Sequence, residues 1–334
     1  MIALDTIRMG LIGCGGNGRG HLHHYLQNYP GVVEVVGLAD PSKAAREAAW
    51  EMTGKDPSVK LFASHEALLK RTPPDAVLIS TPHVFHTQQI LDALAAGCHV
   101  LAEKPMVCSA ADARAVIAAA KKADRIIGLG YGRHTAGPYM YTKRVIESGE
   151  IGEVVFVSCW QSQNWWASQK GTWRQKLALS CGGQLNDSGS HLVDIILWMT
   201  GVEPETAFAF QDNCDTEVDI LTAMSVRARG GVLLNFSVVA KSVNWLEDIT
   251  IWGSTGTIAI RQGGEVWRWG PDGKQYKVSK RQIPASRRPD DNFLGVLQGK
   301  ETEIVAPPEC GLAVMRLSEA IWKSAATGKP EKVK

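Results

Sequence analysis

The sequence has no stretch approaching the roughly 20 apolar residues that a membrane-spanning helix needs. Its first ten residues, with Asp5 ahead of Arg8, lack the apolar run of a secretion signal. No sign of charge dominates, since 36 basic residues against 34 acidic ones leave a formal net charge of +2. No basic cluster of the kind that tracks a phosphate backbone is present either, so nucleic acid is not an expected partner. The seven cysteines (Cys14, Cys98, Cys108, Cys159, Cys181, Cys214 and Cys310) are odd in number, scattered, and include no Cys-x-x-Cys pair. That pattern predicts a reducing, cytoplasmic setting without structural zinc or any other metal. Internal repeats and low-complexity segments are also missing.

What is present suits an ordinary globular enzyme: 334 residues, 45% hydrophobic and 21% charged, enough for two domains with separate cores. The apolar run Ile7 to Ile12 leads at once into Gly13-Cys14-Gly15-Gly16-Asn17-Gly18, and Arg19 to Tyr29 can continue as a helix. Strand, glycine turn and helix in that order let a backbone approach a pyrophosphate at a helix N-terminus. A second apolar run ends in Asp40, 22 residues beyond Gly18. An acid there can accept from the adenosine ribose hydroxyls and would repel a 2′-phosphate, which favours NAD over NADP. Asp40 can equally cap the helix that follows, and the two roles are compatible. Alternation continues through Ser42–Met52, Ala76–Ser80, His86–Ala96, His99–Ala102, Ser109–Ala123 and Ile126–Gly130. The spacing predicts a doubly wound α/β Rossmann domain over residues 1–131, with Thr81, Pro82 and Lys104 at strand ends where ligands bind.

From residue 132 to 334 the pattern changes. After a helix at Tyr139–Ser148, runs such as Val154–Trp160, Ile220–Arg227, Val232–Val239, Glu247–Trp252 and Glu265–Trp269 follow with few helices between them. They predict an α+β domain with a large open-faced, mainly antiparallel sheet that binds substrate and supports oligomer formation. The stretch Lys277 to Asp291 reads as an exposed basic loop, and Pro308–Thr327 as an amphipathic helix packing back on the core.

Gly182-Gly183-Gln184-Leu185-Asn186-Asp187-Ser188-Gly189-Ser190-His191 places an acid and an imidazole four residues apart. On the first turns of a helix they would share a face, so that Asp187 orients His191 to accept a proton from a hydroxyl. Lys104 could stabilise the developing alkoxide. Each residue alone also has a structural reading: a cap, a buried hydrogen bond, a surface lysine. His21, His23, His24, His83, His86 and His99 have no partner that sequence identifies and are expected to be structural. Trp160, Trp165, Trp166 and Trp173 are interleaved with Gln161, Gln163, Asn164 and Gln169, which suits the C–H faces and hydroxyl edges of a sugar. The same tryptophans could instead fill a domain or oligomer contact.

Taken together, the Gly13–Gly18 loop, Thr81-Pro82 with His86, Glu103-Lys104-Pro105, Gly182-Gly183 leading to Asp187 and His191, and Asn292-Phe293 before a final helix resemble the Gfo/Idh/MocA oxidoreductases. The resemblance implies a nicotinamide cofactor, a small cyclic polyol or sugar substrate, and a homodimer or homotetramer. By position, Lys104, Asp187 and His191 match that family's catalytic residues. The cofactor set it implies is Gly13, Gly15, Gly16, Asn17, Gly18, Asp40, Thr81, Pro82, His86, Glu103, Lys104, Trp173 and Arg174. The substrate set is Lys104, Trp160, Trp165, Trp166, Asp187 and His191. His83, and Gly132 within Tyr131-Gly132-Arg133, depart from the family's usual asparagines. The expected activity is NAD-dependent oxidation of a secondary hydroxyl of a sugar, glycoside or cyclitol. The alternative is an NAD-retaining glycosidase that works by transient oxidation and elimination.

Overall fold

Short apolar runs separated by serine-capped amphipathic segments build the first half of the chain. The computed structural model describes residues 3–334. In order come β1 (Ile7–Ile12), α1 (Gly16–Asn28), β2 (Val33–Ala39), α2 (Lys43–Met52), β3 (Lys60–Phe62), α3 (His65–Arg71), β4 (Ala76–Ile79), α4 (His86–Ala95), β5 (His99–Ala102), α5 (Ala110–Ala123) and β6 (Ile127–Leu129). The Ser42, Ser64 and Ser109 side chains accept from the backbone N–H groups of Ala45, Ala67 and Asp112, which fixes where α2, α3 and α5 begin. All six strands are parallel in the order β3-β2-β1-β4-β5-β6. Because helices cover both faces of such a sheet, its strands are apolar throughout, and all four residues of β4 are fully buried. The strand order reverses between β1 and β4, which opens the crevice where ligands of this fold bind.

The second half contributes α6 (Gly137–Glu147), β7 (Val154–Asn164), α7 (Trp165–Ser168), α8 (Leu177–Ser180), α9 (Gly189–Thr200), β8 (Pro204–Asp212), β9 (Leu221–Ala228), β10 (Leu233–Val239), β11 (Lys241–Gly253), β12 (Thr257–Arg261), β13 (Glu265–Trp269) and β14 (Gln275–Lys277). The chain ends with α10 (Pro289–Leu297), α11 (Pro308–Thr327) and β15 (Glu331–Lys332). Nine strands form one sheet in the order β14-β13-β12-β11-β7-β10-β9-β8-β15. Its pairings are antiparallel except between β7 and β10. Along β7, Val157, Cys159 and Gln161 are buried, while Phe156, Ser158 and Trp160 point to the opposite face. α9 packs on β7, and Leu192, Val193, Ile195 and Ile196 are all fully buried. The other face of the sheet exposes Phe210 and Leu233, with Phe210 69% accessible.

The chain forms two compact units, and their boundaries differ from a simple division between residues 131 and 132. The first unit holds the residues up to Tyr131 and also Arg288–Gly311, so the return segment belongs with the parallel sheet. The physical reason is apolar packing: Phe293, Leu294 and Leu297 join Ile7, Leu11, Tyr25 and Leu101 in one core cluster. Gly128 makes room for this, since a Cβ there would lie 3.1 Å from Phe293 Cδ2. The expected exposed loop up to Asp291 therefore ends early. Pro289 starts α10, and Asp290 and Asp291 lie in its first turn, with Asp290 fully buried. Among the described residues no helix is long and apolar enough to cross a membrane.

Phe293→Ala removes the largest side chain of this returning helix. It is expected to cost about 3–5 kcal/mol in urea unfolding of the purified protein, whereas a loss under 1 kcal/mol would show that α10 does not secure the first core.

Candidate active site

The glycine loop after β1 is built by contacts that no side chain could survive. Gly13 has φ +98°, and a Cβ on it would lie 2.3 Å from the Ser80 carbonyl oxygen; one on Gly18 would lie 2.1 Å from the Gly13 carbonyl oxygen. By contrast, Cβ atoms on Gly15 and Gly16 would meet nothing within 4 Å. The loop thus packs tightly on its inner side and leaves an open cradle at the start of α1, whose N-cap Gly15 provides no side-chain cap. Backbone N–H groups at such a helix start suit a pyrophosphate, so these residues fit a dinucleotide.

Asp40 closes the cradle at the end of β2. Its Oδ2 accepts from the Cys14 N–H at 2.8 Å and its Oδ1 from the Ser42 N–H at 2.8 Å. Ser42, not Asp40, caps α2. The carboxylate keeps lone pairs for ribose hydroxyls, and its charge opposes a 2′-phosphate. Burial, with the Asp40 carboxylate next in weight, pushes the Cys14 thiol up to about 12, so this thiol is chemically quiet.

At the end of β4 the Thr81 hydroxyl donates to Gln89 Oε1 at 2.6 Å, and the Asn17 amide reaches Ser80 Oγ at 3.3 Å. His86 behaves differently from the expected cofactor contact. It is fully buried, with Nδ1 2.8 Å from the Pro105 carbonyl and Nε2 2.9 Å from the Thr81 carbonyl. Burial lowers its pKa although both nitrogens face acceptors. His86 therefore ties the segment after β4 to the segment after β5, which carries Lys104. Glu103, also expected among the cofactor contacts, turns Oε1 to His21 Nε2 at 3.0 Å.

In the second unit the Gly182–His191 segment is held by a residue that sequence reasoning missed. Asp219 accepts from the Gly183 and Leu185 N–H groups at 2.9 and 2.8 Å and from Trp322 Nε1 at 3.2 Å. Gly183 is obligatory here, since a Cβ would lie 1.9 Å from the Asp219 carbonyl oxygen. Burial raises the Asp219 pKa, and the two backbone N–H groups oppose that rise. No local signal marks Asp219, because the loop it staples lies more than 30 residues away.

Asp187 is not on a helix. α9 starts at Gly189 with Ser188 at its N-cap, and the Asp187 N–H instead closes a turn onto the Gly183 carbonyl at 2.9 Å. The same-face argument for residues four apart therefore fails for this pair. What fixes the Asp187 carboxylate is a pair of donors to Oδ2, Trp165 Nε1 at 2.8 Å and Arg174 Nε at 3.0 Å. His191 lies in the first turn of α9 and is half-buried. The Arg174 guanidinium also stacks 4.5 Å from the centroid of the Trp173 ring.

The tryptophans separate into different roles. Trp165 is buried, packs with Val218, Ile220 and Ala240, and serves Asp187. Trp166 joins the edge of that cluster, donates to the Cys214 carbonyl at 3.3 Å and lies under the Lys241 ammonium. Trp160 is on the opposite side of the sheet from Gln161, so its expected place in a substrate wall is corrected to the open face. Gln163 remains on the Gln161 face and accepts from Gln184 Nε2 at 3.3 Å.

Gly18→Ala is expected to abolish quenching of tryptophan fluorescence by NADH at concentrations that saturate the parent, because the loop cannot close around an added Cβ. Parent-like titration would refute the cradle.

The N-terminal family model for the oxidoreductase family with an NAD-binding Rossmann fold matches residues 7–131, and the GFO/IDH/MocA C-terminal domain model matches residues 139–259. The chain is 27% identical to the rhizopine catabolism protein MocA of Rhizobium meliloti over 81% of this chain and 82% of that protein. It is 29% identical to inositol 2-dehydrogenase of Burkholderia multivorans, covering 59% of this chain and 55% of that one. The fold matches the WlbA dehydrogenase from Bordetella pertussis, solved with NADH and UDP-GlcNAcA, with a TM-score of 0.85 and 23% identity over 100% of this chain and 99% of that one. With both of its halves matched by the corresponding models, the chain belongs to the GFO/IDH/MocA oxidoreductase family.

Proposed function

We propose that the protein is an NAD-dependent dehydrogenase that oxidises a secondary hydroxyl of a sugar, glycoside or cyclitol. The observation that carries this reading is the Asp187 carboxylate, fixed by Trp165 and Arg174 close in sequence to His191, in a chain whose other unit forms a dinucleotide cradle. Relatives named for rhizopine catabolism and for inositol oxidation support a polyhydroxylated ring as substrate. Nothing in the relatives favours the glycosidase alternative.

When bound, NAD supplies the acceptor for the hydride of the carbinol carbon. The residues of the chain handle the proton and the charge. His191 takes the hydroxyl proton as general base, and Asp187 favours the protonated imidazole. The Lys104 ammonium stabilises the oxygen as negative charge develops. Trp165 and Arg174 act indirectly by setting the direction of Asp187.

The exposed Phe210 and Leu233 support assembly into a homodimer or homotetramer through the open sheet face. Light scattering of the parent and of Phe210→Asp tests this: a smaller species for the variant is expected, and one unchanged mass for both would reject it.

The functional test is NADH absorbance when the protein, supplied with NAD, is given monosaccharides, cyclitols and glycosides. Signal growth with one class is expected. Lys104→Ala and His191→Ala should each lower kcat by roughly 10²–10⁴-fold; turnover within a few-fold of the parent in both variants would remove these residues from the chemistry.

A further inference from the structure

One histidine bridges two acids inside the first unit. His21, on the buried side of α1 and 3% exposed, places Nδ1 2.6 Å from Asp290 Oδ1 and Nε2 3.0 Å from Glu103 Oε1. Unlike the two carbonyls that His86 faces, the acceptor at each His21 nitrogen is a carboxylate, and this pair favours the charged ring with both nitrogens donating. The acid on one side, Asp290, belongs to the first turn of α10 and is also reached by Arg288 Nε at 3.3 Å. The acid on the other side, Glu103, follows β5 directly, and its Oε2 accepts from the Lys104 N–H at 3.2 Å. The Asn17 amide of the glycine loop, bonded to Ser80 Oγ at 3.3 Å, lies near enough to help keep this carboxyl ionised. Gly130 gives it room, since a Cβ there would lie 2.9 Å from Glu103 Oε1. Among the described residues, further charged or titratable neighbours are the Lys104 ammonium and the His86 ring near Glu103 and the Tyr25 hydroxyl near Asp290.

The arrangement is more than a brace between helices. A single ring connects the helix that opens the dinucleotide cradle, the strand end that carries Lys104, and the returning α10. His24 repeats the link one turn on, with Nε2 2.6 Å from Asp291 Oδ1, but that pair reaches no residue of the cradle or of the β5 end. Among the described residues, it is His21 that hydrogen-bonds both α10 and Glu103.

We propose that His21 is a positioning residue: held by Asp290, its charged ring orients Glu103, and through Glu103 sets the backbone at Lys104 for the bound nicotinamide dinucleotide. The role given to Lys104 rests on the proposed function, whereas the effect on cofactor binding does not. Burial opposes the charged ring, yet the hydrogen bonds to Asp290 and Glu103 outweigh it and raise His21 to about 9. Burial likewise pushes the Glu103 carboxyl up, and His21, Lys104 and Asn17 reverse this and bring it down to about 2. With a raised folded pKa, the contribution of His21 is complete below its ordinary value of 6.5 and is lost as pH rises through about 9.

The test titrates NADH by tryptophan quenching from pH 6 to 10 in the parent, His21→Gln, Asp290→Asn and Lys104→Met, with melting temperatures of the cofactor-free proteins alongside. In the parent, affinity should weaken as pH passes about 9. Lys104→Met should keep that alkaline arm, which separates it from titration of the lysine itself. His21→Gln should bind NADH roughly tenfold more weakly at pH 7 and show no alkaline arm, since misplacement of about 1 Å is enough to cost that much or more. Asp290→Asn keeps the bond between His21 and Glu103 and should move the midpoint down by about one pH unit, having lost one neighbouring charge. If His21→Gln melts too early to titrate, Asp290→Asn decides. Folded variants with the parent's NADH affinity and pH dependence would overturn the proposal and leave His21 a purely structural brace. If no sugar or cyclitol is oxidised by the parent, the functional reading fails while the NADH titration still decides this one.

Discussion

Everything in the first unit depends on backbone meeting backbone where β1 ends. Gly13 and Gly18 approach the Ser80 and Gly13 carbonyls at distances that exclude any Cβ, and this lets α1 start directly over the strand ends. The approach fixes three things together: the open Gly15–Gly16 cradle, the reach of the Cys14 N–H to Asp40, and the depth at which His21 enters the core. A side chain at Gly18 would not merely block a ligand. It would lift α1 from the sheet and separate His21 from Glu103 and Asp290.

The sequence made the parallel sheet legible because most of its strands are buried on both faces and alternate with helices. Ser42 and Ser109 are local signals within one residue of the observed helix starts, whereas α3, capped by Ser64, went unexpected. β3 was invisible because a three-residue edge strand is shorter than any period. Trp160 shows a different limit. Alternation along β7 told which residues share a face, but not which face the helices cover, and the tryptophan falls on the uncovered one. Asp187 failed for a third reason: spacing of four residues implies a shared face only inside a helix, and α9 begins after it.

The residues that sequence missed share one property. Asp219 and Asp290 do their work on partners distant in the chain, 34 and 36 residues in one case and 269 in the other, and nothing near them in sequence marks the role. Both are buried acids. A buried carboxylate costs several kcal/mol of desolvation unless it is hydrogen-bonded or paired, so a folded chain tolerates one only where every oxygen has a donor. Asp219 meets the condition with backbone N–H groups and stays fixed without a cation. Asp290 meets it with His21 and Arg288, and so makes its support dependent on a titrating ring.

That difference separates the two supports functionally. As pH rises toward the folded pKa of His21, only the backbone donors keep their protons, so the Gly182–His191 segment retains its shape while the Glu103 side loosens. On the proposed function, the base and its acid therefore stand on a frame whose backbone donors do not titrate, and the cofactor side carries the titratable link. Asp187 follows the same logic one layer out. Its donors are an indole N–H and a guanidinium, neither of which loses a proton near neutrality, so the direction of the Asp187 carboxylate does not depend on a titrating donor of the kind that holds Asp290.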